Sequence, residues 1–106
     1  MTDYTRACSV ADVPADSAVH VDLAGSPVAI VHAAGDFYAI HDVCSHEHVA
    51  LSEGEVDGTT IECWLHGSCF DLATGMPTAL PALRPVPVYP VRIDDGDVYV
   101  QLTEEK

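Results

Sequence analysis

The sequence predicts an all-β protein: a small sandwich or barrel of short antiparallel strands, with a loop-rich insertion in its middle. Three observations support this prediction. Apolar and polar residues alternate with period two near both ends of the chain. Glycine-containing turn signals separate the alternating runs. No stretch has a sustained helical period, and only a short helical turn is expected, around residues 11–16.

The alternating runs predict two hairpins. Residues 17–23, SAVHVDL, form the first strand, and residues 27–43 form a β-rich run that is broken at Ala34-Gly35-Asp36. Residues 86–102, VPVYPVRIDDGDVYVQL, repeat this plan with a turn at Asp95-Gly96.

The middle stretch, residues 44–85, is rich in glycine and turn residues, so a loop-rich insertion is expected there. Its exit is rich in proline, which excludes a helix or a central strand. We therefore expect a stiff, extended loop that packs as a wall against a neighbouring loop. The prolines concerned are Pro77, Pro81, Pro85, Pro87 and Pro90.

The bulk properties exclude several classes of protein. The chain has 106 residues, which is the size of a single domain, and its net charge is −13. That charge argues against binding to nucleic acid or to an anionic membrane, and it favours solubility or a basic partner protein. No apolar run reaches the roughly 18 residues of a membrane span, and no signal peptide is recognisable, so a cytoplasmic location is expected. Disulfides are unfavourable there, and the cysteines are predicted to be metal ligands or buried thiols.

Two short clusters combine a thiol with an imidazole: Cys44-Ser-His46 and Cys63-Trp-Leu-His66. Two cysteines and two histidines can hold a structural zinc ion, or a [2Fe–2S] cluster with both thiolates on one iron and both imidazoles on the other. Zinc fingers usually carry both thiols in one loop. One ligand of each kind in each loop therefore favours the dinuclear cluster clamped between two loops.

The second cluster continues as His66-Gly-Ser-Cys-Phe-Asp71, then Thr74-Gly75, and with C-x-H before it this resembles the Rieske pattern. The resemblance covers nearly the whole chain and is closest to the soluble Rieske ferredoxins of bacterial ring-hydroxylating oxygenase systems. It implies a Rieske fold of three small antiparallel sheets in one domain, residues 1–106. A cluster-binding subdomain, about residues 42–85, would be inserted into a base formed by residues 1–41 and 86–106.

The resemblance also implies the roles of individual residues. Cys44 and Cys63 would bind one iron of a single [2Fe–2S] cluster, and His46 and His66 would bind the other. The residues expected to surround these ligands are Trp64, Gly67, Ser68, Phe70 and Pro81.

Two departures from the respiratory Rieske proteins are informative. Those proteins carry a disulfide between the two loops, and the matching positions here are Val49 and Leu65. They also place a tyrosine hydroxyl near a ligand sulfur, where this chain has Phe70, although Ser68 is retained as a donor. Hydrogen bonds to sulfur favour the reduced cluster, so a potential at the low end of roughly −150 to +300 mV is expected. Histidine ligation should make that potential pH-dependent.

The remaining thiols and imidazoles are predicted to be bystanders. Cys69 and His48 lie beside the clusters without belonging to the pattern, and Cys8 is expected to be buried in the first strand. The histidines expected to be structural or solvated are His20, His32 and His41.

The predicted function is single-electron transfer from a flavin-containing NAD(P)H reductase to a terminal non-haem iron oxygenase in aromatic hydrocarbon catabolism. The chain would act as a monomer and would not itself be an enzyme. A zinc-binding interaction module, or an accessory ferredoxin in cluster assembly or redox sensing, remains the alternative. An apolar rim is expected to contact the partner: Val49, Leu51, Trp64, Leu65 and Pro81.

Overall fold

The computed structural model of the chain describes residues 4–23, 25–43, 50–63, 68–79 and 85–102. Within these ranges the protein is built from strands and two 3₁₀ turns, at Val10–Asp12 and Leu51–Glu53, so the all-β prediction is confirmed. The strands are β1 Tyr4–Ser9, β2 Ser17–Leu23, β3 Ser26–Ala33, β4 Asp36–His41, β5 Glu55–Asp57, β6 Thr60–Glu62, β7 Cys69–Asp71, β8 Pro77–Ala79, β9 Val88–Tyr89, β10 Val91–Asp94 and β11 Asp97–Gln101.

The strands form three antiparallel sheets, as the resemblance implied. Sheet A has the order β1-β11-β10, sheet B has the order β2-β3-β4-β9, and sheet C has the order β5-β6-β7-β8. Every pairing is antiparallel. Sheet A joins the first and last strands, and therefore ties the two ends of the described chain together.

Both predicted hairpins are present. The turn between β3 and β4 places Ala34 at φ +52° and Gly35 at φ +83°, and the turn between β10 and β11 places Asp95 at +55° and Gly96 at +81°. Two successive residues with positive φ match the right-handed twist of the flanking strands. The helical turn expected around residues 11–16 is shorter and begins earlier: it is a single 3₁₀ turn, Val10–Asp12, which Ser9 caps by accepting a hydrogen bond from the backbone N–H of Ala11.

Sheet B is the central layer, because β3 is buried on both faces. Ala29, Val31 and Ala33 pack with residues of sheet C, whereas Val28 and Ile30 pack with residues of sheet A. A strand covered on both sides is expected to be continuously apolar, and PVAIV in β3 has that composition. The two cores therefore lie on opposite faces of one strand.

The described part of the middle of the chain contains strands that the alternation of residues did not indicate. Residues expected to form a loop-rich insertion contain all four strands of sheet C. Each of the three strands β5, β6 and β7 points one apolar side chain inward: Val56, Ile61 and Phe70. Three-residue strands contain a single inward position, so no period is visible in the sequence.

The expectation of a continuous stiff loop at the proline-rich exit is also wrong in part. Pro77 begins β8 at the edge of sheet C, and Val88–Tyr89 form β9 at the edge of sheet B. Proline is tolerated at a strand start or on an edge strand because no ladder donor is needed there. The carbonyls of Pro87 and Pro90 accept hydrogen bonds from the N–H groups of His41 (2.9 Å) and Gln101 (3.0 Å).

Among the described residues, no helix has the length and apolar character needed to cross a membrane.

Candidate metal centre

Cys63 is the one predicted ligand within the described residues, and it lies directly after β6. Its side chain is fully buried. Its backbone N–H donates a 2.6 Å hydrogen bond to the carbonyl of Ser68, so the residues on either side of positions 64–67 are directly bonded to each other. The second predicted ligand loop therefore has a fixed beginning and end, with a buried thiol at its root.

The other predicted ligands, Cys44, His46 and His66, lie outside the described residues. So do Val49, Trp64, Leu65, Gly67 and Pro81, which were expected to surround the cluster or to form the apolar rim. Leu51 was also expected on that rim, and this expectation is wrong. Its side chain has no exposed surface because it packs into the core between sheets B and C.

A backbone contact joins the two predicted ligand loops. Gly54 follows the first loop and lies against Glu62, the residue before Cys63. A Cβ built on Gly54 would come within 1.6 Å of the Glu62 carbonyl oxygen. The exit of the first loop thus lies directly against the entrance of the second, and only glycine permits this approach.

The segment after the second loop is held by a turn that the sequence predicted. The Asp71 carboxylate accepts hydrogen bonds from the N–H groups of Ala73 (2.8 Å) and Thr74 (3.2 Å), and the Gly75 N–H donates to the Asp71 carbonyl at 2.6 Å. Val86 then donates its N–H to the Gly75 carbonyl at 2.9 Å. The proline-rich exit is therefore fixed to the turn that ends the second loop.

Ser68 and Phe70 lie beside Cys63 in the same buried region. Both side chains are fully buried, and Phe70 packs in the same core as Cys63. Phe70 has no hydrogen-bond donor on its ring, whereas the Ser68 hydroxyl has one.

The thiols that were predicted to be bystanders have raised pKa values. Burial raises the pKa of the Cys8 thiol, and its position in β1 confirms the prediction of a buried thiol. Burial, together with the carboxylates of Glu62 and Asp57, raises the pKa of the Cys69 thiol. No disulfide joins Cys8, Cys63 and Cys69, the cysteines of the described ranges.

The histidines within the strands make structural contacts. His32 stacks on Phe37 with ring centroids 4.2 Å apart and donates from Nδ1 to the Val13 carbonyl at 2.9 Å. The His41 Nδ1 lies 3.4 Å from the Tyr89 hydroxyl. These contacts confirm the prediction of structural roles for His32 and His41.

His20 contacts a group that the sequence analysis missed. Its Nδ1 donates a 2.5 Å hydrogen bond to the buried carboxylate of Asp42, which also binds Ser52. Asp42 stands two residues before Cys44, and Ser52 follows the first loop. Their proximity to the C-x-H pattern was the only available signal, because the contact joins residues that are distant in sequence.

The described residues fit an iron–sulfur cluster. Thiolates are the usual protein ligands of such clusters, and Cys63 offers a buried thiol directly after β6. The close approach of Gly54 to Glu62 holds the two loop roots together, as a site shared between two loops requires.

Comparisons with known proteins agree with this fit. Residues 3–90 match the family model described as "Rieske [2Fe-2S] domain". Over 100 residues, covering 92% of both chains, the sequence is 46% identical to the 3-phenylpropionate/cinnamic acid dioxygenase ferredoxin subunit of Escherichia coli. The ferredoxin of Sphingomonas yanoikuyae B1 superimposes with a TM-score of 0.89 at 35% identity, covering 95% of this chain and 100% of that one. A chain in the complex of reduced oxygenase and oxidized ferredoxin in carbazole 1,9a-dioxygenase superimposes with a TM-score of 0.87 at 36% identity, covering 92% of this chain and 92% of that one.

The chain therefore belongs to the Rieske [2Fe-2S] family and carries one cluster of this type. Its near full-length match to ferredoxin subunits makes it a ferredoxin, an electron carrier and not the catalytic component. The predictions of fold, cofactor and electron-carrier function are thus confirmed.

Proposed function

We propose that this ferredoxin carries single electrons from a flavin-containing NAD(P)H reductase to the terminal non-haem iron oxygenase of a ring-hydroxylating dioxygenase. It would do so as a cytoplasmic monomer, in the degradation of aromatic compounds. The observation that carries the proposal is the end-to-end similarity to a dioxygenase ferredoxin subunit. The structural match to a chain from a complex of oxygenase and ferredoxin supports the same partner.

We propose that Cys44 and Cys63 bind one iron and that His46 and His66 bind the other. When bound, the cluster accepts and releases one electron. Around it, the protein keeps Cys63 away from water and sets the separation of the two loops through Gly54. The oxidised centre would be neutral with neutral imidazoles, so an acidic protein can still accept the extra charge of reduction.

We further propose that residues 42–85 form a cluster-binding subdomain inserted into a base of residues 1–41 and 86–106. The four strands of sheet C all lie within the first of these ranges, which supports the division. Sheets A and B are formed by the remaining strands.

The distribution of charged residues supports the proposal that the partner proteins present a basic surface to this ferredoxin. The arginines in the described ranges are Arg6 and Arg92, and both lie on sheet A, paired with Asp97 (3.2 Å) and Asp94 (3.5 Å). No lysine or arginine lies among the described residues of sheet C, whereas Glu55, Glu62 and other carboxylates do. Attraction to a basic partner accelerates association and weakens with added salt.

The ligand assignment is tested with matched pairs of variants. His46→Ala and Cys63→Ser should lose the iron and the electron paramagnetic resonance (EPR) signal of the reduced cluster. The neighbouring variants His48→Ala and Cys69→Ser should keep both. His66→Cys should retain some cluster and lower its potential. A colourless protein that contains zinc and no iron would contradict the proposal, and so would an unchanged spectrum in His66→Cys.

The partners are tested by reconstitution. The purified ferredoxin is mixed with a dioxygenase reductase, NADH and the cognate oxygenase, and product formation is measured against ferredoxin concentration and salt. We expect turnover that depends on the ferredoxin and slows as salt increases. If the ferredoxin is reduced but passes no electrons to the oxygenase, the proposed acceptor is wrong. Size-exclusion chromatography tests whether the ferredoxin is a monomer.

A further inference from the structure

The carboxylate of Asp42 is completely buried at the root of the first predicted ligand loop. Its Oδ1 accepts the backbone N–H of Ser52 at 2.7 Å, and its Oδ2 accepts the Ser52 hydroxyl at 2.6 Å and the His20 Nδ1–H at 2.5 Å. Its own N–H donates to the Pro27 carbonyl at 3.0 Å. Burying a carboxylate is costly unless several donors satisfy it, and three donors converge on this one.

These bonds connect the two ends of one loop to the central sheet. Asp42 precedes the undescribed residues 44–49 and Ser52 follows them, so the pair of bonds between Asp42 and Ser52 closes the loop at its base. His20 belongs to β2, and it ties the closed base to sheet B. We call Asp42, Ser52 and His20 the loop clasp.

We propose that Asp42 is a positioning residue for the cluster: through the clasp it fixes where the first loop presents Cys44 and His46 relative to Cys63. The inference rests on the ligand assignment proposed above. The two direct bonds between Asp42 and Ser52 fix the separation of the residues from which the first loop leaves and to which it returns. Groups that orient metal ligands without touching the metal commonly change its affinity by about 10- to 100-fold when they are removed.

A purely structural role would have a different signature from a positioning role. If the clasp only stabilises the fold, its loss should release the cluster in proportion to the loss of folding stability. If it positions the ligands, the geometry at the irons changes even while the protein remains folded. The spectrum of the reduced cluster and the rate of iron release from folded protein separate these two roles.

Position 52 offers a matched pair of variants. Ser52→Ala removes the hydroxyl bond and leaves the backbone N–H bond, whereas Ser52→Thr keeps a hydroxyl at the same place. Asp42→Asn keeps the shape of the side chain but replaces one accepting oxygen with a donor, so it cannot accept all three bonds. The control for general destabilisation is Val98→Ala, which creates a cavity in the core between sheets A and B.

The experiment measures, on the cluster-loaded protein, the urea midpoint, the EPR signal after reduction and the rate of iron loss to a chelator in buffer without urea. We expect Asp42→Asn and Ser52→Ala to shift the EPR signal, and Asp42→Asn to release iron about tenfold faster or more. Ser52→Thr should resemble the wild type. Val98→Ala should lower the urea midpoint with an unchanged EPR signal and little change in iron loss.

The proposal is overturned if the clasp variants keep the wild-type EPR signal and lose iron only as fast as Val98→Ala at a comparable urea midpoint. If Asp42→Asn does not fold, the comparison of Ser52→Ala with Ser52→Thr decides alone, and equal behaviour of these two overturns the proposal. A wild-type protein without a Rieske signal would overturn the proposed function as well, so the two failures are distinguishable.

Discussion

Gly54 and Glu62 are in such close backbone contact that a side chain at position 54 has no space. A Cβ there would lie 1.6 Å from the Glu62 carbonyl oxygen and 3.3 Å from the Leu51 carbonyl oxygen. Glu62 is followed by Cys63, the buried predicted ligand. The spacing between the two predicted ligand loops therefore depends on the absence of one methyl group.

Gly54→Ala should consequently disturb both the fold and the cluster. Because the obstructing atoms belong to the backbone, the strands must move apart, and we expect a loss of about 3 kcal/mol or more in unfolding free energy. The iron content per protein should also fall. Gly58→Ala is the control, since Gly58 has φ +61° but no atom within 4 Å of a new Cβ. Its cost should be limited to the roughly 1–2 kcal/mol of left-handed backbone strain. If Gly54→Ala and Gly58→Ala lose the same unfolding free energy in urea titrations, the argument from the close contact is contradicted.

Gly75 makes the corresponding contact on the proline-rich side. A Cβ on Gly75 would lie 2.0 Å from the Val86 carbonyl oxygen, and its φ is +80°. Gly96, at φ +81°, has open space around it and is a control with the same backbone strain. We expect Gly75→Ala to lower the unfolding free energy by at least about 1–3 kcal/mol more than Gly96→Ala. If the two variants unfold at the same urea concentration, the contact with Val86 does not hold the exit segment.

The features that the sequence predicted correctly are local ones. The turns at Ala34-Gly35 and Asp95-Gly96 join strands that are adjacent in sequence, so alternation and turn residues are sufficient to find them. In both turns the signal and the structure lie within a few residues of each other. The ligand pattern is local in the same way, and it stays a prediction because Cys44, His46 and His66 lie outside the described residues.

The features that the sequence did not reveal depend on distant contacts. The strands of sheet C are not visible in the alternation of apolar and polar residues, because three residues are too few to show a period, and only the family resemblance implied a third sheet. β9 was assigned to the C-terminal hairpin but pairs with β4, with Ile40 opposite Val88. Leu51 was placed on an exposed rim because its apolar side chain gave no indication of which surface would cover it. The contact of His20 with Asp42 depends on a fold that brings residues 22 positions apart together.

His20 should make folding stability depend on pH. The hydrogen bond to Asp42, with the charges of Asp42 and Asp22 adding to it, raises the pKa of His20 above its ordinary value of 6.5. A histidine whose pKa is raised by folding contributes its full stabilisation below the unfolded-state pKa, and this contribution is lost as pH rises through the folded-state pKa. The free energy gap between the wild type and His20→Gln should therefore shrink as pH rises from 6 towards 9, in parallel urea titrations.

Asp22→Asn is the matched control for this pH dependence. Asp22 is largely exposed and its carboxylate lies 3.3 Å from the His20 ring, whereas the Asp42 side chain is fully buried. Since water screens an exposed pair, most of the pH dependence should survive in Asp22→Asn. The assignment to Asp42 would be contradicted if the free energy difference between the wild type and His20→Gln did not change with pH. It would also be contradicted if this change with pH disappeared when both proteins carried Asp22→Asn.

Phe70→Tyr tests whether this position controls the reduction potential. Phe70 is fully buried in the core that also contains Cys63, and a tyrosine there would add a donor where the chain has none. A hydrogen bond to a ligand sulfur stabilises the reduced, more negative cluster. If the bond is stronger by about 1 kcal/mol in the reduced state, the potential should rise by roughly 40 mV in a spectroelectrochemical titration.

Ser68→Ala is the opposite test, because it removes the buried hydroxyl that the resemblance assigns as a donor. The reduction potential of Ser68→Ala should fall by an amount similar to the rise expected for Phe70→Tyr. Stability measurements identify the alternative for Phe70→Tyr, because a buried hydroxyl without a partner costs about 1–3 kcal/mol. A tyrosine variant that loses this stability and keeps the wild-type potential would show that the ring does not face a ligand sulfur. The absence of a tyrosine hydroxyl at position 70 would then not explain the low reduction potential expected for this ferredoxin.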